Sequence, residues 1–150
     1  MRVVLQRVTG AEVRIEDSVV GRIAHGLVAL VGIGDGDLAS DVDVLAAKTA
    51  ALRIFDTADG ARSVVDVGGA VMVISQFTLL ADTRRGNRPS WTAAAPPDHA
   101  RPLVEQFATQ LEARGITVAR GVFGAHMVVS LFNDGPVTIV LDSAGTKSTK

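Results

Sequence analysis

The punctuation of the first third constrains this chain more than any other feature. Residues 3–8, 11–16, 19–24 and 27–33 are β-prone runs, separated by Thr9-Gly10, Asp17-Ser18 and His25-Gly26. Runs this short, cut by turn residues about every eight positions, read as strands of an antiparallel meander. Gly32-Ile33-Gly34-Asp35-Gly36-Asp37 then breaks the pattern. Ser40 followed by Asp43 resembles a capping box built with the shorter acid, so a helix is expected to start near Asp41. Val42, Leu45, Ala46, Thr49 and Leu52 give it an apolar stripe, and it should end near Arg53.

Residues 55–69 mix turn signals with a short β-prone run at 63–67, whereas 70–75 are almost continuously apolar, as in a central strand buried on both faces. Residues 81–97 are polar, contain Gly86, Pro89, Pro96 and Pro97, and are too long for a plain connector. A second helix opens at Asp98, places Leu103, Val104, Phe107 and Leu111 on one side, and meets Gly115 where a left-handed cap is needed. Residues 116–119, 127–132 and 137–141 return to β periodicity. Two main helices among about nine or ten strands imply an α+β fold. The expected architecture is one domain over 1–142, an antiparallel-rich, curled or doubled, barrel-like sheet with the helices on one side. Residues 143–150 hold no large apolar side chain and are expected to form a flexible C-terminal tail.

Composition narrows the chemistry. Of 150 residues, 47% are hydrophobic and 21% charged, which is globular and not disordered. Cysteine is absent, excluding disulfides, thiolate metal sites and cysteine nucleophiles, and nothing points to an oxidising compartment. The start does not read as a signal peptide and no run approaches the ~18 apolar residues of a membrane helix, so the expectation is a cytoplasmic protein without membrane contact. The net charge of −1 supplies no global attraction for polyanions. Nucleic-acid binding would need a local basic patch.

No nucleophile with a base is legible. Ser75 lacks a G-x-S-x-G elbow, and His25, His99 and His126 are scattered without metal-ligand spacing. No metal or cofactor is expected. Gly32-x-Gly34-x-Gly36 matches the spacing of neither nucleotide fingerprint and reads as a turn.

Three segments remain. In Ser75-Gln76-Phe77-Thr78-Leu79 an apolar strand ends in polar side chains that either bond a ligand or satisfy one another. Arg84, Arg85 and Arg88 follow, with Trp91 beside them. Guanidinium forks hold phosphates and an indole stacks on a base, although a solvated loop has the same composition. Asn133-Asp134-Gly135-Pro136-Val137-Thr138 lies between two β-prone runs and suits a hairpin turn. Its Gly-Pro bond is also a place where a cis peptide lies within ~0.5–1 kcal/mol of trans.

Together these segments, with Ala81-Asp82-Thr83-x-Arg85-Gly86-x-Arg88-Pro89-Ser90 and Val129-Ser130-Leu131, resemble the D-aminoacyl-tRNA deacylase family. Gln6-Arg7-Val8-Thr9, Arg53-Ile54-Phe55 and Gly121-x-Phe123-Gly124-Ala125-x-Met127 fit in the same order, so the resemblance reaches Asp142. The chain departs from the family's pattern at Ser63-Val64, often Met-Asn, and at His126, commonly acidic.

The resemblance implies a homodimer acting on the acceptor 3′ end of aminoacyl-tRNA. Its sites would combine Ser75, Gln76, Phe77 and Thr78 as catalytic residues with Gly135 and Pro136 of the partner as a cis chiral filter. Leu79, Asn133, Asp134, Val137 and Thr138 would contact substrate, and Arg84, Arg85 and Arg88 the tRNA. D-aminoacyl esters, and glycyl esters lacking a side chain to reject, would be hydrolysed with help from backbone groups and the ribose 2′-OH. Two other readings stand beside it: a non-catalytic RNA- or DNA-binding dimer using the arginine segment, and a serine esterase using Ser75.

Overall fold

The computed structural model describes residues 1–146. Its elements are β1 (Arg2–Ile15), β2 (Ser18–Ile23), β3 (Gly26–Gly32), α1 (Ala39–Ala51), β4 (Phe55–Thr57), β5 (Gly60–Arg62), β6 (Ala70–Ser75), a 3-10 turn (Phe77–Leu80), α2 (Pro97–Glu112), β7 (Thr117–Arg120), β8 (Val128–Asp142) and α3 (Ser143–Thr146). The main sheet runs β2-β1-β3-β6-β7, with β8 on the other side of β1. Pairings within β1, β2, β3 and β8 are antiparallel, and β3-β6 and β6-β7 are parallel. The fold is therefore α+β with an antiparallel-rich, mixed sheet.

β1 organises this arrangement. Its first half pairs with β3, its second half with β2, and β8 follows both halves along the opposite edge. The break expected at Thr9-Gly10 is instead an irregularity inside one continuous strand, where the β1-β8 register shifts between Val8 and Gly10. An irregularity there bends the strand without ending it. The bend carries β2 across to β7. Gly21 permits the approach, because a Cβ there would stand 3.1 Å from the Arg120 carbonyl oxygen. The sheet is thereby almost closed into a barrel.

Both faces of the curled sheet are buried, with side chains alternating between two cores. Leu27, Ala29 and Val31 of β3 and Val71 and Val73 of β6 join Val42, Leu45, Leu103, Phe107 and Leu111 beneath α1 and α2. Val28, Met72 and Ile74 point the other way and pack with Val8, Val13 and Ile23 inside the curl. This explains the unbroken apolar run of β6: each residue of a strand covered on both faces meets a core.

Several local expectations change. α1 begins two residues early, and its cap is the Asp41 carboxylate accepting from the Leu38 N–H at 2.9 Å, not the Ser40–Asp43 pair. The run at 63–67 is a turn because Asp66 accepts from both the amide and hydroxyl of Ser63, at 2.9 and 2.7 Å. The nearby strands are the β4-β5 hairpin. The hairpin expected at 133–136 is absent, since both halves of β8 pair with β1 in one direction. These mergers leave eight strands among the described residues. The expected tail begins with α3, where Ser143 is buried and its hydroxyl accepts from the Met1 amino group at 2.9 Å. Residues 147–150 lie outside the described residues.

Candidate active site

The expected catalytic segment lies where parallel strands end. The Gln76 amide donates to the Val31 carbonyl at 2.7 Å, the last bond holding this edge of β6 to β3 before the chain turns into Phe77–Leu80. Two hollows open on this segment. One, of about 320 Å³, is lined by Val31, Ile33, Ala95, Val104 and Phe123, with Ser75, Gln76 and Phe77 on its wall. The second, of about 230 Å³, shares Ser75, Gln76, Phe77 and Gly124 and adds Ala125, His126 and Met127. Such a pair of adjoining hollows, one apolar and one with a polar edge, can receive the two parts of a bipartite ligand.

Thr78 lines neither hollow. Its hydroxyl accepts from the Gln76 side-chain amide, an internal bond that orders the segment. Phe77 is 58% exposed and meets the 40% exposed Trp91 edge-to-face, centroids 5.9 Å apart. Trp91 lines neither hollow but stands against the outer side of the wall that Phe77 gives them.

Between these aromatics the chain makes an excursion closed by Asp82 and Ser90, whose backbones exchange hydrogen bonds of 2.7 and 3.0 Å. Asp82, Arg84, Arg85, Arg88 and Ser90 line a separate depression there. Arg84 grips Asp82 with Nε and Nη2, at 2.9 and 2.7 Å, and this guanidinium holds the Asp82 carboxyl far below the usual carboxylate range. The side chains of Arg85 and Arg88 have no hydrogen-bond or ion-pair partner among the described residues.

Residues 133–138 lie elsewhere in the single chain. Gln6 pairs with Thr138 and Val8 with Asn133, so residues 134–137 of β8 oppose Arg7 alone and bulge outward. Gly135 takes φ 107° at this bulge. The buried Arg7 side chain holds its base, donating from Nε to the Asp134 carbonyl at 3.3 Å and from Nη1 to the Ile54 carbonyl, with Asp134 Oδ2 3.2 Å from Nε. The Thr138 hydroxyl donates to Gln6 Oε1. None of these residues lines either hollow beside Ser75. The Gly135-Pro136 bond is trans, correcting the expected cis form. Trans is the lower isomer of an X–Pro bond, and the bulge accommodates the extra residues through the φ of Gly135.

Two histidines are occupied away from the hollows, His25 edge-on to Phe55 and His99 with Nε2 2.9 Å from the Asp37 carbonyl. His126 instead lines the second hollow, a placement the sequence did not disclose because a turn folds residues 121–127 back over Ser75. Sequence reading also missed the apolar wall of Ala94, Ala95, Pro97, Ala100 and Val104, whose residues look like an ordinary helix entry until α2 docks. No cluster of metal-ligating side chains occurs among the described residues. No described helix is long and apolar enough to cross a membrane.

Comparison with known proteins covers this whole arrangement. The family model described as D-Tyr-tRNA(Tyr) deacylase matches residues 4–142, spanning both hollows, the excursion and the bulge. A D-aminoacyl-tRNA deacylase of Chloroflexus aurantiacus is 58% identical over 146 residues, covering 96% of this chain and 91% of its own. A solved structure titled c-Myc DNA Unwinding Element Binding Protein is 34% identical, with a TM-score of 0.88 over 95% of this chain and 98% of the other. A structure described as a probable eukaryotic D-amino acid tRNA deacylase shares the fold, with a TM-score of 0.81 at 16% identity over 93% and 97% of the two chains. With a family model matched across both hollows and close curated relatives, the chain belongs to the D-Tyr-tRNA(Tyr) deacylase family.

Proposed function

We propose that this protein hydrolyses the ester of D-aminoacyl-tRNA, and of mischarged glycyl-tRNA, in the cytoplasm as a homodimer. The observation carrying this reading is that the motif segment 75–77 forms the common wall of two adjoining hollows while no described hydrogen bond joins Ser75 to a base. A site of this kind acts by positioning. The aminoacyl ester is held against Ser75, Gln76 and Phe77, with Thr78 contributing through its backbone and through the bond that orders Gln76. Water adds to the ester carbonyl carbon, and the bond to the ribose oxygen breaks as that oxygen takes up a proton. The neighbouring ribose hydroxyl assists the transfer, and orientation supplies much of the acceleration.

Chirality is read by backbone in this proposal. Gly135 and Pro136 reach the partner's hollow, flanked by Asn133, Asp134, Val137 and Thr138, and leave no space where an L side chain would point. Rejection is then steric and independent of which D side chain is present. The bulge supports this role, because the Arg7 contacts hold its base rigidly while its outer backbone stays exposed. Leu79 completes the substrate contacts of the segment in this proposal, and the arginine excursion meets the acceptor end.

A second reading comes from the relative titled as a DNA-binding protein, since the arginine excursion alone would serve a non-catalytic nucleic-acid binder. Incubation with D- and L-tyrosyl-tRNA side by side separates the two. Release of D-tyrosine only is the expected result, and tight binding without release of either amino acid overturns the proposal.

A further inference from the structure

The excursion and the aromatic pair at its foot adjoin the two hollows: Phe77 stands on the wall of both, and Trp91 lines neither. Phe77 belongs to the segment entering the excursion and Trp91 to the segment leaving it, and their edge-to-face contact clamps the two ends beside the bridge between Asp82 and Ser90. An exposed aromatic pair beside an apolar cavity is an unusual use of surface unless something flat covers it. Next to it the charges are not equivalent. Arg84 is spent on Asp82, so it orders the excursion and adds no net charge, whereas Arg85 and Arg88 are unpaired among the described residues. Arg88 lies three residues from Trp91, which places its Cα within ~11 Å of the indole's Cα.

We infer that this unit is an adjoining subsite for the single-stranded nucleotides just upstream of the reacting ester, with Trp91, buttressed edge-to-face by Phe77, stacking a base and Arg85 and Arg88 holding phosphates. Arg84 is a positioning residue in this subsite and not a phosphate contact. The inference rests on the proposed esterase function and adds a division of labour: the hollows take the terminal aminoacyl nucleoside, and the excursion takes the RNA leading to it. A base stacked on aromatics and a backbone held by guanidinium forks is the usual chemistry of single-strand binding, and it is indifferent to sequence. It suits an enzyme that must accept many tRNAs.

The test compares hydrolysis of a D-aminoacyl-tRNA with that of the corresponding D-aminoacyl-adenosine, which has no upstream nucleotides. Inactivity of the wild-type protein on both would refute the esterase reading itself. For an active enzyme, Arg85→Glu/Arg88→Glu should lose at least tenfold more kcat/KM on tRNA than on the adenosine ester. Its log–log salt slope for tRNA binding should flatten by about 1.4, at ~0.7 per single-strand phosphate released. Trp91→Ala should raise KM for tRNA roughly 5- to 150-fold, the equivalent of ~1–3 kcal/mol of stacking, without altering the salt slope. Arg84→Gln should keep the wild-type slope. Equal losses on both substrates, an unchanged slope in the double variant, or a slope lowered by Arg84→Gln as much as by Arg85→Glu would each overturn the subsite.

Discussion

A Cβ built on Gly135 would stand 2.5 Å from Arg7 Nη2. The bulge and the arginine are therefore fitted to each other with no room for a methyl group, and Gly135 also holds a φ of 107° that side chains disfavour. Gly135→Ala should cost about 1–3 kcal/mol from the backbone alone. For a domain of this size that lowers Tm by roughly 2–12 °C. Thermal unfolding followed by circular dichroism checks it; an unchanged Tm means that neither the φ of Gly135 nor its contact with Arg7 confines the bulge.

Thr78 is held by Gln76 and lines neither hollow, so its hydroxyl should support the site without forming a bond to the substrate. Thr78→Ala should reduce kcat/KM no more than about tenfold, the worth of one hydrogen bond. Ser75→Ala and His126→Gln test the serine-esterase alternative, because these two residues share a hollow. Both variants should retain D-specific release, and mass spectrometry should detect no acyl-enzyme. Complete loss in both would establish a nucleophile and base instead.

The outer edge of β8 is unpaired among the described residues and carries Phe132, 76% exposed, and Val140, 67% exposed. An edge with that much apolar surface is suited to a second copy of the chain. Phe132→Asp/Val140→Asp should abolish self-association in sedimentation and remove deacylation with it. A monomer that remained fully D-specific would place the entire site in one chain. Mixing an inactive Gly135→Trp subunit with an inactive Gln76→Ala/Phe77→Ala subunit should restore some activity, since one pocket of the mixed dimer keeps both intact halves.

Arg120 joins the end of β7 to the end of α2 through two bonds to Glu112, at 2.6 and 2.8 Å. The guanidinium holds the Glu112 carboxyl below its ordinary value. A folded-state pKa depressed in this way contributes stability fully above the unfolded carboxylate value of about 4.3 and loses it as pH falls through the depressed value. Glu112→Gln should therefore have a lower Tm than wild type at neutral pH, with the gap closing in acid. A gap independent of pH would show that the ion pair contributes nothing.

Residue pattern alone determined the parts of this protein that depend on local rules. The amphipathic stripes of α1 and α2, the strand at 70–75 buried on both faces and the left-handed Gly115 were legible because helix period, apolar continuity and cap chemistry are read within a few residues. The motif segments at 75–79, 84–88 and 133–138 carried the resemblance to the family that the chain belongs to. Tertiary structure decided the rest. Thr9-Gly10 and Asn133-Asp134-Gly135-Pro136 carry turn chemistry, yet both lie inside long strands because β1 and β8 pair along their whole lengths and absorb the extra residues as irregularities. Ladder pairing over many residues outweighs a local turn preference. The same long-range packing brings His126 and the foot of α2 to Ser75 and keeps the bulge away from the hollows within one chain. Those relationships are distances between residues far apart in the chain, and only packing can set them.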